Sequence, residues 1–239
     1  MLSKGLHPDH LADLRKSGLT DDTISKSGIY SVPPDRVDKI IGRANGVRSL
    51  MAIPYPGTDF TRFRLFPPCK IAPKDERPRK YFQIPGSPIH LYVPPGFDPD
   101  GEVIRITEGE KKALRGTQEG LNVVGLGGIW NLANRDENDR PQLIEALAAI
   151  KWAGRCVELL PDSDFQLNPS VCHAVFRLGT MIEREGATVK VVRLPGSSKL
   201  DDFLCAHSVE TFCQLELLDL SNRIFRGAQI KEEGLSVAI

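Results

Sequence analysis

The sequence predicts an α/β protein, in which a domain built on a central, mostly parallel sheet is preceded by a smaller α+β region. Three observations predict it. From residue 103 onward, short apolar runs alternate with stretches of helical period, the rhythm of strand and helix in a parallel sheet. Between residues 50 and 95 the runs are short, aromatic and β-branched, broken by Pro and Gly, as in an antiparallel sheet. The first forty residues carry helical spacing and a capping signal instead.

The elements follow in order. His10-Leu11-Ala12-Asp13-Leu14 and Thr20-Asp21-Asp22-Thr23-Ile24 predict two short helices, the second started by Thr20, whose hydroxyl can accept a backbone N–H of the next turn. His7 and His10 flank Pro8-Asp9 in what reads as a mobile start, with no metal partner in view. The strands expected next are Leu50–Ile53, Phe60–Leu65, Lys80–Ile84 and Ile89–Val93. Pro94-Pro95-Gly96 and Asp98-Pro99-Asp100-Gly101 make a turn-rich joint, because proline cannot extend a ladder and glycine admits positive φ. The domain boundary is placed there, giving an N-terminal region 1–100, a second domain 101–206 and a C-terminal helix and tail 207–239, loosely ordered from Arg226.

Within the second domain, Val103–Ile106 reads as a strand, Glu110 to Gln118 as a helix closed by Gly120, and Leu121–Val124 as a strand. Pro141 to Ile150 reads as a helix with Pro141 in its first turn, and Arg155–Leu160 as a third strand. Pro169 opens a helix whose Val171, Val175, Leu178 and Ile182 recur at three- and four-residue spacing, and Thr188–Leu194 is a fourth strand. Gly125-Leu126-Gly127-Gly128 reads as a tight turn, matching neither the P-loop nor the dinucleotide fingerprint.

Composition narrows the function classes. The 239 residues are 41% hydrophobic and 26% charged, an ordinary globular balance, and no run approaches the roughly 20 apolar residues of a membrane span. The N-terminus lacks the apolar core of a signal peptide, so the expected location is the cytoplasm. The five cysteines are scattered without a C-x-x-C pair, which argues against a zinc ribbon or a disulfide framework. Net charge is zero, which excludes coating nucleic acid by bulk positive charge, yet residues 43–80 hold nine basic against three acidic side chains. That segment is a candidate phosphate contact.

Acidic residues fall where strands end: Glu108 in Thr107-Glu108-Gly109, Asp162 and Asp164 in Pro161-Asp162-Ser163-Asp164, and Asp201-Asp202 after Lys199-Leu200. Ligand sites of parallel α/β sheets lie beyond the carboxyl ends of the strands. A carboxylate fixed there suits Mg²⁺, which takes hard oxygen ligands, few of them from protein, with water and phosphate completing the octahedron. Bound divalent ions of this kind stabilise the attacking and leaving oxygens in phosphoryl and nucleotidyl transfer.

These residues, in this order, resemble the Toprim domain shared by DnaG-type primases, topoisomerases and some nucleases, closest to DnaG-type and phage or plasmid primase-like proteins. The resemblance spans about residues 102 to 206 and implies a Toprim-like Rossmannoid domain. It implies Glu108, Asp162 and Asp164 as catalytic metal ligands, with Asp202 in a stretch similar to the Lys-Asp-Pro-Asp of primases and Mg²⁺ or Mn²⁺ as the ion. Lys112 stands four residues after the Glu where primases carry Asp, as in some topoisomerases, and is a candidate catalytic residue that meets substrate phosphate. Upstream, Ala52–Gly57 with Phe63-Arg64-Leu65 resembles the template-binding segment of primases. That assigns Arg62, Arg64, Lys74, Arg79 and Lys80 to phosphates and Tyr81 or Phe82 to base stacking.

The expected activity is primase-like nucleotidyl transfer on single-stranded DNA in replication of a mobile element or phage. The alternatives are a Toprim nuclease and a non-catalytic single-strand-binding replication accessory. Implied partners are single-stranded DNA or RNA, nucleoside triphosphates and a replicative helicase on a separate chain or domain, with no membrane partner. No Gly-x-x-x-x-Gly-Lys-Ser/Thr motor loop is present in the sequence.

Overall fold

A computed structural model describes residues 5–42, 46–72, 75–131, 133–135 and 141–237. The chain divides into two compact units, Met1–Pro88 and Ile89–Ile239. Among the described residues no helix is long and apolar enough to cross a membrane.

The first unit contains helices α1 (Pro8–Lys16), α2 (Asp21–Lys26) and α3 (Pro34–Ile41), one more than the sequence predicts. Pro8 sits in the first turn of α1, where a missing N–H costs nothing, and Thr20 caps α2 by accepting the N–H of Thr23 as expected. Strands β1 (Tyr30–Ser31), β2 (Ser49–Pro54), β3 (Thr61–Cys69) and β4 (Arg79–Phe82) form an antiparallel sheet in chain order. Period-two alternation places Leu50, Ala52, Phe63, Leu65 and Phe82 in one buried cluster with Val32, Val37 and Ile41.

His10 corrects the reading of a mobile start. Its ring is fully buried, with Nδ1 2.7 Å from Ser31 Oγ and Nε2 2.9 Å from Ser49 Oγ, and it packs against Phe66. Loss of hydration lowers its pKa from 6.5 to about 4, and the neighbouring His7 adds to the effect.

The second unit holds β5 (Leu91–Tyr92), β6 (Val103–Glu108), α4 (Glu110–Gln118), β7 (Val123–Leu126), β8 (Ala133–Arg135), β9 (Pro141–Leu143), α5 (Glu145–Ala148) and β10 (Cys156–Leu160). Beyond these lie α6 (Pro169–Arg184), β11 (Thr188–Val192), α7 (Leu200–Ala206), α8 (Val209–Cys213), β12 (Leu217–Leu218) and α9 (Arg226–Val237). The main sheet runs β12-β11-β10-β6-β7-β5; its four central strands are parallel and its two outer ones antiparallel. Ile104, Ile106, Val124, Val157, Leu159, Val189 and Val191 pack with Val175, Leu178 and Ile182 of α6. The α/β class with a parallel sheet is thus as the sequence predicts.

Three local expectations are corrected. Residues 141–150 hold strand β9, paired with β8, and only a short helix α5, because the pairing partner lies outside any helical window. Leu91-Tyr92 joins the second unit's sheet beside β7, not the N-terminal sheet. The C-terminal residues from Arg226 form helix α9, which packs on α6 through buried Ala228.

Candidate active site

The parallel register builds one rim. Leu160, the last residue of β10, lies opposite Thr107, and Glu108, the last residue of β6, lies opposite Leu126 of β7. Thr107 Oγ1 donates to the Leu160 carbonyl at 3.1 Å, which ties the two strand ends together across the sheet. Glu108 and Asp162 therefore leave adjacent strands at the same edge, although 54 positions separate them in the sequence.

Glycines let the backbone turn tightly at this edge. Gly109 has φ +96°, a left-handed conformation that side chains disfavour, and it turns the chain from β6 into α4. Its N–H donates to the Leu126 carbonyl at 2.7 Å. Gly125 makes that approach feasible, since a Cβ there would stand 3.0 Å from the Gly109 carbonyl oxygen. On the other side, the Ser163 N–H donates to the Ser198 carbonyl at 3.1 Å, which joins the turn after β10 to the loop before α7.

Two ammonium groups meet Asp162. Lys112, from the first turn of α4, pairs with Oδ1, and Lys199 Nζ lies 3.8 Å from Oδ2. The Lys112 side chain is only 11% exposed, so this charge is held at the rim and is not a solvated helix lysine. Lys199 is a contact that no role in the sequence reading anticipates; its signal is a lysine two residues ahead of the acidic pair on the next strand's loop.

The remaining predicted residues diverge. Asp164 is exposed in the 3₁₀ turn Ser163–Gln166. Asp202 is exposed on α7, whereas Asp201 beside it is 8% exposed and its Oδ1 is buried with no hydrogen-bond partner. The set Glu108, Asp162, Asp164 and Asp202 is therefore not gathered: among the described residues no group of three or more His, Cys, Asp or Glu is poised to hold a metal. What remains is a pair of strand-end carboxylates, Glu108 and Asp162. Such a pair fits Mg²⁺, which is commonly held by one or two carboxylates with water and substrate phosphate.

The basic set of the first unit is largely engaged internally. Arg64 donates to Asp13 Oδ1 at 2.6 Å and to the Tyr81 hydroxyl at 3.0 Å, so it clasps β3 to α1. Arg62 lies 4.5 Å over the Tyr81 ring, which covers a face that the stacking assignment needed open. Arg79 pairs with Asp75, whose carboxyl is held down at about 2 chiefly by that bond. Lys80 is exposed, and Lys74 lies outside the described residues.

A family described as a domain of unknown function (DUF3854) matches residues 100–211. No curated protein matches the chain. Among solved structures, the zinc-binding and RNA polymerase domains of the Aquifex aeolicus primase share 19% identity at a TM-score of 0.60, over 89% of this chain and 57% of that one. The chain thus spans little more than half of that structure. A DnaG primase catalytic domain bound to ssDNA gives 16% identity and a TM-score of 0.59, over 94% of this chain and 76% of that one. The RNA polymerase domain of the Mycobacterium tuberculosis primase DnaG gives 14% and 0.61, over 96% and 82%. The chain has the mixed α/β, Toprim-like fold of these primase domains.

Proposed function

We propose that the chain is a primase-like nucleic-acid enzyme that joins nucleotides on a single-stranded template at the rim formed by Glu108 and Asp162. One observation carries this reading: two carboxylates at the carboxyl ends of adjacent parallel strands, in a fold shared with primase catalytic domains. A neighbouring fold solved with ssDNA supports a single strand as template.

Glu108 and Asp162 are the residues that would hold Mg²⁺ or Mn²⁺, which when bound polarises the phosphate of the incoming nucleotide. The chain's own residues do the rest. Gly109 and Gly125 fix the backbone that carries Glu108, and the Thr107 bond holds its strand in register with β10. Lys112 neutralises Asp162 at the rim and supplies positive charge where a triphosphate would sit. Lys199 adds a second cation from the neighbouring loop.

The test is direct. Purified protein with Mn²⁺, nucleoside triphosphates and single-stranded DNA should make short oligonucleotides, and Glu108→Gln should lower that synthesis by about three orders of magnitude or more. Equal silence of both proteins sinks the reading. Shortening of labelled DNA with metal but no nucleotides selects hydrolysis instead.

A further inference from the structure

We propose that Trp130 is a stacking platform for a nucleobase of the single strand at this rim, an inference that deepens the functional reading above and rests on it. Trp130 lies in the turn that follows β7, closed by the Asn131 N–H donating to the Gly128 carbonyl at 2.8 Å. That turn leaves the sheet beside Glu108, because Leu126 is opposite Glu108 and accepts the Gly109 N–H. The indole therefore starts four residues from the strand end next to the candidate catalytic carboxylate.

It is both exposed and held. Trp130 is 45% exposed, a large apolar surface to leave in water. Its ring meets that of His173 on α6 nearly at right angles, with centroids 5.6 Å apart. His173 is itself buried, and its Nε2 lies 2.5 Å from Glu232 Oε1 on α9. An indole fixed by such a chain of contacts loses little freedom on binding, which is what makes an exposed aromatic useful for recognition.

The surroundings select the occupant. The same rim carries Lys112 and Lys199 against Asp162, cations suited to phosphates, while the indole offers a flat face without hydrogen-bonding demands. Phosphate charge beside a planar ring is the chemistry of single-stranded nucleic acid, where bases stack on aromatic side chains irrespective of sequence. Tyr81, the stacking residue expected from sequence, has Arg62 over its ring instead.

The chain has two tryptophans, and Trp152 is 3% exposed with its indole N–H donating to the Leu147 carbonyl at 2.8 Å. Changes in tryptophan emission on adding a ligand therefore report on Trp130. Titration with oligothymidylate should quench emission saturably, and an abasic oligonucleotide of equal length should bind with little quenching. Trp130→Ala should weaken oligothymidylate binding, read by anisotropy, roughly tenfold or more with the circular dichroism spectrum unchanged, and Trp130→Phe should recover most of it. Equal affinity of wild type and Trp130→Ala, or equal quenching by the abasic strand, overturns the stacking role. Absence of any single-strand binding by wild type overturns this inference together with the functional reading. Quenching that persists in a protein unable to synthesise oligonucleotides supports the stacking role and sinks only the enzymatic reading.

Discussion

The two units use charge in opposite ways. In the first, the three arginines drawn from the sequence as phosphate contacts are engaged within the unit: Arg64 with Asp13, Arg79 with Asp75, Arg62 over Tyr81. In the second, charged side chains collect at one edge, where Lys112 and Lys199 face Asp162 beside the turn that carries Glu108. Strand direction accounts for the rim, since parallel strands deliver all their carboxyl ends to a single edge. The pairs of the first unit instead join β3 to α1 and Arg79 to Asp75 four residues before it. A basic stretch in sequence is thus weak evidence of a nucleic-acid surface until the pairing around it is known.

Four experiments sharpen or break that contrast. Arg64→Ala removes the charged partner of Asp13, whose side chain is 13% exposed, and should destabilise the protein by about 2 to 3 kcal/mol in urea unfolding. Single-strand affinity should change little; a large loss of affinity with stability intact would return Arg64 to the binding surface. The second experiment uses pH. His10 titrates near 6.5 when unfolded and about 4 when folded, so the unfolded chain binds more protons between those values. Its contribution is complete above pH 6.5 and is lost as pH falls through that window, up to about 3 kcal/mol. Unfolding curves across pH 4 to 7 should follow this slope, and His10→Gln should flatten it.

The next expectation concerns the rim. Lys112→Ala frees Asp162 of one ammonium and should tighten Mn²⁺ binding about tenfold, ~1.4 kcal/mol, measured by the electron paramagnetic resonance signal of free Mn²⁺. Unchanged affinity would place the metal ligands away from Asp162. The smallest effect belongs to exposed Lys80: Lys80→Ala should weaken single-strand binding about twofold to threefold and reduce the logarithmic salt slope by about 0.7 without altering stability.

How much of this was legible in sequence depends on distance along the chain. The parallel strands were readable because Val103–Ile106 and Cys156–Leu160 are apolar runs broken only by Arg105 and Glu158. Their order along the chain placed Glu108 and Asp162 at strand ends, and the register agrees. The Pro141 segment misled because proline opens helices and strands alike, and its pairing with residues 133–135 leaves no local trace. The clasp between Asp13 and Arg64 was hidden for a similar reason, since the two residues lie 51 positions apart. Lys112 was visible as a departure from the primase pattern, but its hold on Asp162 required the fold. Trp130 gave no signal, since a single tryptophan after Gly127-Gly128-Ile129 has no period to read.

Gly125 extends the reach of this rim to a position with no chemistry of its own. A methyl group there would crowd the Gly109 carbonyl oxygen at 3.0 Å and the Ala113 Cβ at 3.2 Å, both on the segment that follows Glu108. Neither neighbour is a pliant side-chain tip, so the strain would travel back one peptide to the carboxylate itself. A Gly125→Ala change should thus displace Glu108 by a few tenths of an ångström and weaken the rim while leaving every candidate reactive group in place.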